Sequence, residues 1–330
     1  MTDYYQMTLG RHTFFLAIFS AIGWALMPGR VFGQTGLELV TEPWEENQRF
    51  QSESNLLIAP FSRIAGQGSL HFSEITWSGR ARTDTSNAHG LMWGWQADFL
   101  SLSGKSHSLP AQLMDVSIAQ GIPLVDQEPW YAMASVGLGY GGDKRFDCAI
   151  DWYGKGAVVV GRDLGNARSL EFNLEYNGNR AYFPDVPLPG IEYHAAAGDW
   201  LKYTFGYPDI SATLSPTTKF RVEVHYYLPV SGSARIEYDA TDEWTLFAAY
   251  TANEEAFHWT RLPDDRRLIF AKQRVEAGGR VQVADQLNLI IAAGYTFDRH
   301  FTNGFDDRGS ATVADLSSGA FFRIGLGVTW

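Results

Sequence analysis

The stretch Ser318-Gly319-Ala320-Phe321-Phe322-Arg323-Ile324-Gly325-Leu326-Gly327-Val328-Thr329-Trp330 ends the chain. One row of it, Ala320, Phe322, Ile324, Leu326, Val328 and Trp330, is apolar throughout, while the intervening row carries Gly319, Arg323, Gly325, Gly327 and Thr329. Successive side chains of a strand point to opposite faces, so this is a strand with one apolar face and one small or charged face. Its apolar row ends on the last residue, an aromatic.

The same period recurs upstream. Leu170, Phe172, Leu174 and Tyr176 alternate with Glu171, Asn173, Glu175 and Asn177; Phe220, Val222, Val224 and Tyr226 alternate with Lys219, Arg221, Glu223 and His225. Ala234, Ile236 and Tyr238 face away from Arg235, Glu237 and Asp239, and Leu287 to Phe297 repeat the pattern at odd numbers. A soluble sandwich also alternates. These stretches, however, run to nine or more residues, the length that crosses a bilayer at a tilt, and Trp, Tyr and Phe mark their ends as an interfacial girdle would. The expected fold is all-β: an antiparallel up-and-down transmembrane β-barrel in the outer membrane. Phe322, Ile324, Leu326, Val328 and Trp330 are then its assembly signal, and the barrel-assembly machinery, outer-membrane lipid and lipopolysaccharide are its expected partners.

Composition agrees with that class. A net charge of −11 opposes nucleic-acid binding, which needs clustered Lys and Arg. With Cys148 as the single cysteine there is no intramolecular disulfide, and a closed hydrogen-bonded sheet supplies the stability instead. Near the N-terminus, Arg11 and His12 precede an apolar run from Phe14 to Met27 that Pro28 and Gly29 break. The run has the length of a signal-peptide core and falls short of a membrane span, so residues 1–33 are expected to be an export signal. Residues 34–68, polar and weakly periodic, are expected to be a flexible periplasmic leader, and residues 69–330 the barrel.

Reading back from Trp330, connections alternate between long (301–317, 251–266) and short (283–286, 240–243), which orients the strands with the short turns and both termini on the periplasmic side. Counting strands this way gives about fourteen, within a range of twelve to sixteen, because residues 70–103 are ambiguous.

The polar rows place Glu171, Glu175, Lys202, Lys219, Arg221, Glu223, His225, Arg235, Glu237, Asp239, Lys272, Arg274, Glu276, Arg280, Asp298 and Arg323 on the lumen. Both signs are interleaved, which fits a narrow or gated channel for small polar solutes or ions. It fits equally a structural or adhesion barrel whose lumen is filled by paired side chains. Arg323, alone among small neighbours, needs a lumen carboxylate such as Glu276 or Asp298. A third reading is a surface hydrolase built on Asp298 and His300, with His258, Glu254 and Glu255 in the preceding loop. It lacks a nucleophile in any recognisable motif, and no catalytic residue, metal or cofactor is assigned.

Leu188-Pro189-Gly190-Ile191-Glu192-Tyr193, Asp199-Trp200, Phe205-Gly206-Tyr207-Pro208, Arg274-Val275-Glu276-Ala277-Gly278-Gly279 and Gly294-Tyr295-Thr296-Phe297-Asp298-Arg299 together resemble a family of uncharacterised bacterial outer-membrane β-barrels, from about Leu109 onward. The chain departs from that pattern at His194-Ala195, where a proline often follows. The resemblance implies location and architecture; the family is a domain of unknown function and implies no substrate. Two other motifs carry no chemistry. Ser103-Gly104-Lys105-Ser106 lacks the strand–loop–helix context of a phosphate loop, and Gly137-Leu138-Gly139-Tyr140-Gly141 marks inward positions where a barrel wall bends.

Overall fold

The computed structural model describes residues 35–42, 44, 48–66, 68–85, 90–104, 108–227 and 231–330, so the expected export signal at 1–33 lies outside the described residues. A short helix α1 (Leu37–Thr41) precedes the strands. The first six strands are β1 (Phe50–Ile64), β2 (Gly68–Arg82), β3 (Met92–Gly104), β4 (Gln112–Gln127), β5 (Trp130–Gly142) and β6 (Trp152–Asp163). Six shorter ones follow: β7 (Arg168–Asn177), β8 (Leu188–Ala197), β9 (Leu201–Tyr207), β10 (Asp209–Thr217), β11 (Phe220–Tyr227) and β12 (Ser231–Asp239). Three long ones come next, β13 (Trp244–His258), β14 (Arg267–Ala284) and β15 (Leu287–Gly304), then β16 (Ala311–Leu316) and β17 (Gly319–Thr329).

From β1 to β16 each strand pairs antiparallel with its sequence neighbour, and β17 pairs antiparallel with β15 and with β1, the latter from Gln51↔Thr329 to Ile58↔Phe322. The sheet therefore closes and has no free edge, which is what a hydrocarbon solvent demands of strands. β16 and β17 both lie between β15 and β1 and are two halves of one stave interrupted at Ser317-Ser318. Counted so, the barrel has sixteen staves, at the upper end of the range that the turn count gives.

The outward face is apolar. On the closing seam Leu56, Ile324 and Ile291 lie side by side in register and are all exposed. Trp93, Trp130, Trp200, Trp244 and Trp330 are exposed near the ends of their strands on the side of the termini and form a girdle there. Such a band on a closed, even-numbered antiparallel barrel is the architecture of an outer-membrane protein. On the side of the termini most turns are tight, as at 128–129, 218–219 and 285–286; this side is the inner, periplasmic one, and the outer end carries the loops 143–151, 178–187 and 259–266.

Two expectations are corrected. The flexible leader assigned to 34–68 is not one: from Phe50 the chain is β1, and residues 35–42 lie inside the barrel. β1 escapes the period-2 test because Leu56, Leu57, Ile58 and Ala59 are all apolar. Leu57 and Ala59 fill the lumen while Leu56 and Ile58 face out. Asp298 is the second correction. It sits at a β-bulge with φ 48°, in the left-handed region, where the β14–β15 register slips between Ala271 and Gln273. The extra residue turns Asp298 outward and sends Arg299 into the lumen, where Arg299 is 2% exposed.

The staves are unequal, and this shapes the interior. β12 pairs with β13 only as far as Gly232↔Ala252, and the free upper part of β13 reaches across to β5, bridging at His258↔Gly142. Above that level the barrel is narrower and packed solid. Phe72, Phe270, Phe301, Phe321, Leu100, Leu113, Phe257 and Leu268 form one buried apolar core there, with Phe270 and Phe301 stacked at 4.4 Å. Apolar residues inside a barrel exclude water, so the outer end on this side is sealed, and polar space survives below the core and beside it, towards β7, β11 and β12.

Candidate functional site in the lumen

Below the apolar core lies a cavity of about 260 Å³. Its lining includes Glu38, Glu42, Glu53, Glu74, Asp98, Asp115, Glu175, Glu254 and Glu255, against Lys155, Arg180, Lys272 and Arg274. Nine acidic groups facing four basic ones favour cations and oppose anions. The floor is the N-terminal segment. The loop 178–187 crosses the outer side, with Asn179 Nδ2 donating to Asp115 Oδ2 (3.1 Å) and to the Ala256 carbonyl (2.7 Å). Arg267 donates to the Gly178 carbonyl at 2.9 Å, and the Arg308 guanidinium lies 3.6 Å over the Phe183 ring.

The floor is held by few contacts. Leu39, fully buried, packs on Met92, Ala119 and Met133 of the inner wall, and Leu37 packs on Ala157 and Val159. Thr35 Oγ1 accepts from Lys155 Nζ at 2.7 Å and lies 3.0 Å from Ser117 Oγ, while Ser135 Oγ donates to the Gly36 carbonyl at 2.8 Å. Arg80 donates to the Glu42 carbonyl at 2.7 Å and lies 4.2 Å over the Trp44 ring. Gly36 has φ 96° and passes so close to Glu175 that a Cβ would meet its carboxylate at 3.1 Å, so only glycine serves there. A five-residue helix has no stability of its own, so this segment stays in place only through those contacts.

Most lumen charges named from the sequence pair with one another across staves. Arg323 makes a bidentate pair with Glu276 (Nη2–Oε1 2.6 Å, Nε–Oε2 3.0 Å) and donates to Asn55 Oδ1 at 2.6 Å. Glu237 gathers Arg235 (2.8 Å), Arg221 (3.0 Å) and Arg280 (3.2 Å). Lys272 bridges Glu74 (2.7 Å) and Glu255 (2.8 Å), Glu175 pairs with Arg180 at 3.3 Å, and His225 lies 2.6 Å from Asp209. Asp239 accepts from Thr245, Glu223 lies 4.0 Å from Arg221, and Arg274 is buried on the cavity wall. Lys202 and Lys219 are exposed at the inner rim instead of lining the interior, because β9 begins at Leu201 and Lys219 stands in the β10–β11 turn.

Sequence reasoning missed Glu38, Glu74, Asp98, Asp115, Lys155, Glu192, His194 and Arg299. Glu74 and Asp98 lie on staves whose outward rows mix Ser with aromatic and aliphatic residues, and Asp115 lies on one whose outward row Gln112 and Gln120 interrupt, which hides the period; Arg299 follows from the bulge. Glu192 and His194 alternate with Ile191 and Tyr193 and were readable by the same rule as Glu171. Asp298 and His300, the hydrolase candidates, lie 3.7 Å apart on the outside of the wall. Gln273 caps the Asp298 carboxylate, and Glu255 is tied to Lys272.

No family model matches the chain, and no curated protein is similar to it. Solved structures share the architecture. A TodX variant, a monoaromatic hydrocarbon channel, aligns over 92% of this chain and 97% of its own at 10% identity and a TM-score of 0.43. A Pseudomonas aeruginosa FadL homologue aligns over 92% and 96% at 10% identity and 0.42, and the CymD hydrocarbon channel over 95% and 97% at 8% and 0.36. At these values the likeness is one of barrel shape and carries no cargo across.

Proposed function

We propose that the protein is a gated outer-membrane channel with a cation-preferring lumen, whose inner end residues 35–42 close at rest and whose outer path runs on the β7–β12 side, beside the apolar core and past the loop 178–187. The carboxylate-rich cavity, floored by a segment that two leucine pockets and a few hydrogen bonds hold, is the observation that supports this reading. The hydrocarbon cargo named for TodX and CymD finds no counterpart in such a lining. The finer expectations follow the same reading: residues 1–33 serve export, the terminal strand serves assembly, and membership of the uncharacterised barrel family adds no substrate. The test is conductance in a planar bilayer. The full chain is expected to be nearly silent. A chain lacking residues 35–42 is expected to conduct, with a reversal potential in a salt gradient that reports cation preference. Silence of the shortened barrel, or anion preference, overturns the proposal.

The floor also predicts a pH dependence. Burial and the neighbouring Glu175 carboxylate push the Glu38 carboxyl up to about 8, with Lys155 acting against them and Asp209 with them. A carboxyl whose value is raised when docked favours docking while it stays protonated. Docking is therefore strongest at acid pH and weakens as pH rises from the ordinary carboxylate range through about 8. Open probability should rise across that window in the full chain and stay level in Glu38→Gln, measured by single-channel recording.

A further inference from the structure

We propose that Glu171, Glu192 and His194 form a binding site for one divalent transition-metal ion of the zinc class, on the inner wall towards the periplasmic mouth. Their ligand atoms all lie within 4.8 Å of one another. Glu171 and Glu192 stand directly opposite on β7 and β8 and are 6% and 3% exposed. Like charges at such a position repel, and burial deepens the penalty, so the pair calls for a cation between its members. His194, two residues beyond Glu192 on the same face, sets Nε2 3.4 Å from Glu171 Oε2 and 3.6 Å from Glu192 Oε2. A tetrahedral ion with N and O ligands at about 2.0–2.2 Å holds neighbouring donor atoms about 3.3–3.6 Å apart. The two histidine–carboxylate distances are thus those of coordination edges, and the carboxylate oxygens lie no more than 4.8 Å from each other. Neither Nε2 nor Glu171 Oε2 makes a hydrogen bond, though both are cut off from solvent.

The other atom of each ligand is already held. The Tyr131 hydroxyl donates to Glu171 Oε1, Asn173 Nδ2 donates to Glu192 Oε1 at 2.8 Å, and His194 Nδ1 lies 2.9 Å from Thr204 Oγ1. This is the outer-shell pattern that orients metal ligands. In the tautomer that carries its proton on Nδ1, towards Thr204, Nε2 turns its lone pair to two carboxylate oxygens, and a bound cation selects that tautomer by being attractive on all three sides. One imidazole and two carboxylates suit zinc and its neighbours. Calcium and magnesium take six or more oxygen-type ligands. A water carried in with the ion completes the tetrahedron as its fourth ligand. The site stands whether or not the barrel conducts.

The test uses the full, tag-free chain folded in detergent and dialysed against Zn²⁺. One ion per chain is expected at low micromolar free zinc, and Co²⁺ in its place should give the intense visible absorption of a tetrahedral centre. His194→Ala should weaken binding by about a hundredfold, and Thr204→Val, which removes only the outer-shell partner, by about tenfold. Glu38→Gln and Asp98→Asn, in the cavity, should leave binding unchanged. Where His194→Ala fails to fold, Thr204→Val and His194→Gln carry the comparison. A folded wild-type barrel that takes up no zinc overturns the proposal, as does uptake indifferent to His194 or lost in the cavity variants.

Discussion

Arg323→Met is expected to cost the barrel about 3–5 kcal/mol, the penalty for stranding one member of a buried ion pair. Arg323 is 4% exposed, and its guanidinium is the bidentate partner of Glu276 and the donor to Asn55. The pair spans β14 and β17 across β15 and reaches β1, so it ties the closing seam to the staves before it. Methionine keeps the length of the side chain and removes the guanidinium hydrogen-bonded to both Glu276 oxygens, leaving Arg274 and Arg235 as neighbouring charges. Urea unfolding of the protein folded into lipid vesicles should show the loss as a fall in midpoint at constant slope. The double variant Arg323→Met/Glu276→Met should recover most of it, because an apolar pair of similar volume is often as stable as the buried ion pair it replaces. Equal loss in the single and double variants would mean that shape, and not charge, makes Arg323 necessary.

That Arg323 needs a partner, and that Glu276 is a candidate, follows from the sequence alone. Arg323 is a single large charge in a row of glycines, and the row's parity fixes its face. The same parity rule places Glu171, Glu175, His225, Arg235, Glu237, Lys272 and Arg274 inward, because their staves have a clean apolar row on the lipid side. It fails where both faces are apolar, as in β1, where Leu57 and Ala59 serve the lumen core. It fails again at Asp298, because one residue with φ 48° reverses the parity of everything beyond it. The strand count stops at about fourteen because residues 70–103 are ambiguous and because β1, apolar on both faces at Leu56–Ala59, carries no periodic signal. The floor of the lumen was illegible for a different reason. Residues 35–42 have no amphipathic run long enough to register as a helix, and their position depends on Met92, Ala119, Met133, Ala157 and Val159, contributed by strands far along the chain. The metal-binding triad lies between these cases, since Glu192 and His194 obey the period, but their convergence on Glu171 depends on the β7–β8 register.

Leu39→Asp is expected to open the channel without removing any of the chain. Leu39 is fully buried against Met92, Ala119 and Met133, and burying a leucine is worth about 1.5–3 kcal/mol. The aspartate forfeits that contribution and also brings a charge to an apolar pocket already overlooked by the carboxylates of the cavity. A docking penalty of about 3–4 kcal/mol shifts the ratio of undocked to docked floor by roughly a hundredfold or more. The segment's remaining anchors are Leu37 on Ala157 and Val159, Gly36 on Ser135, Thr35 on Lys155 and Glu42 on Arg80; the polar ones are worth about 1 kcal/mol each net, and none of them replaces the Leu39 pocket. Single-channel recording should therefore show frequent, long openings of the conductance level seen on deleting residues 35–42. The stability of the barrel in urea should be unaltered, because no stave contact depends on Leu39. Leu39→Met, which fills the same pocket, should stay closed. If Leu39→Asp stays as silent as the parent while the shortened chain conducts, the floor is held by its polar contacts and the leucine pocket is incidental.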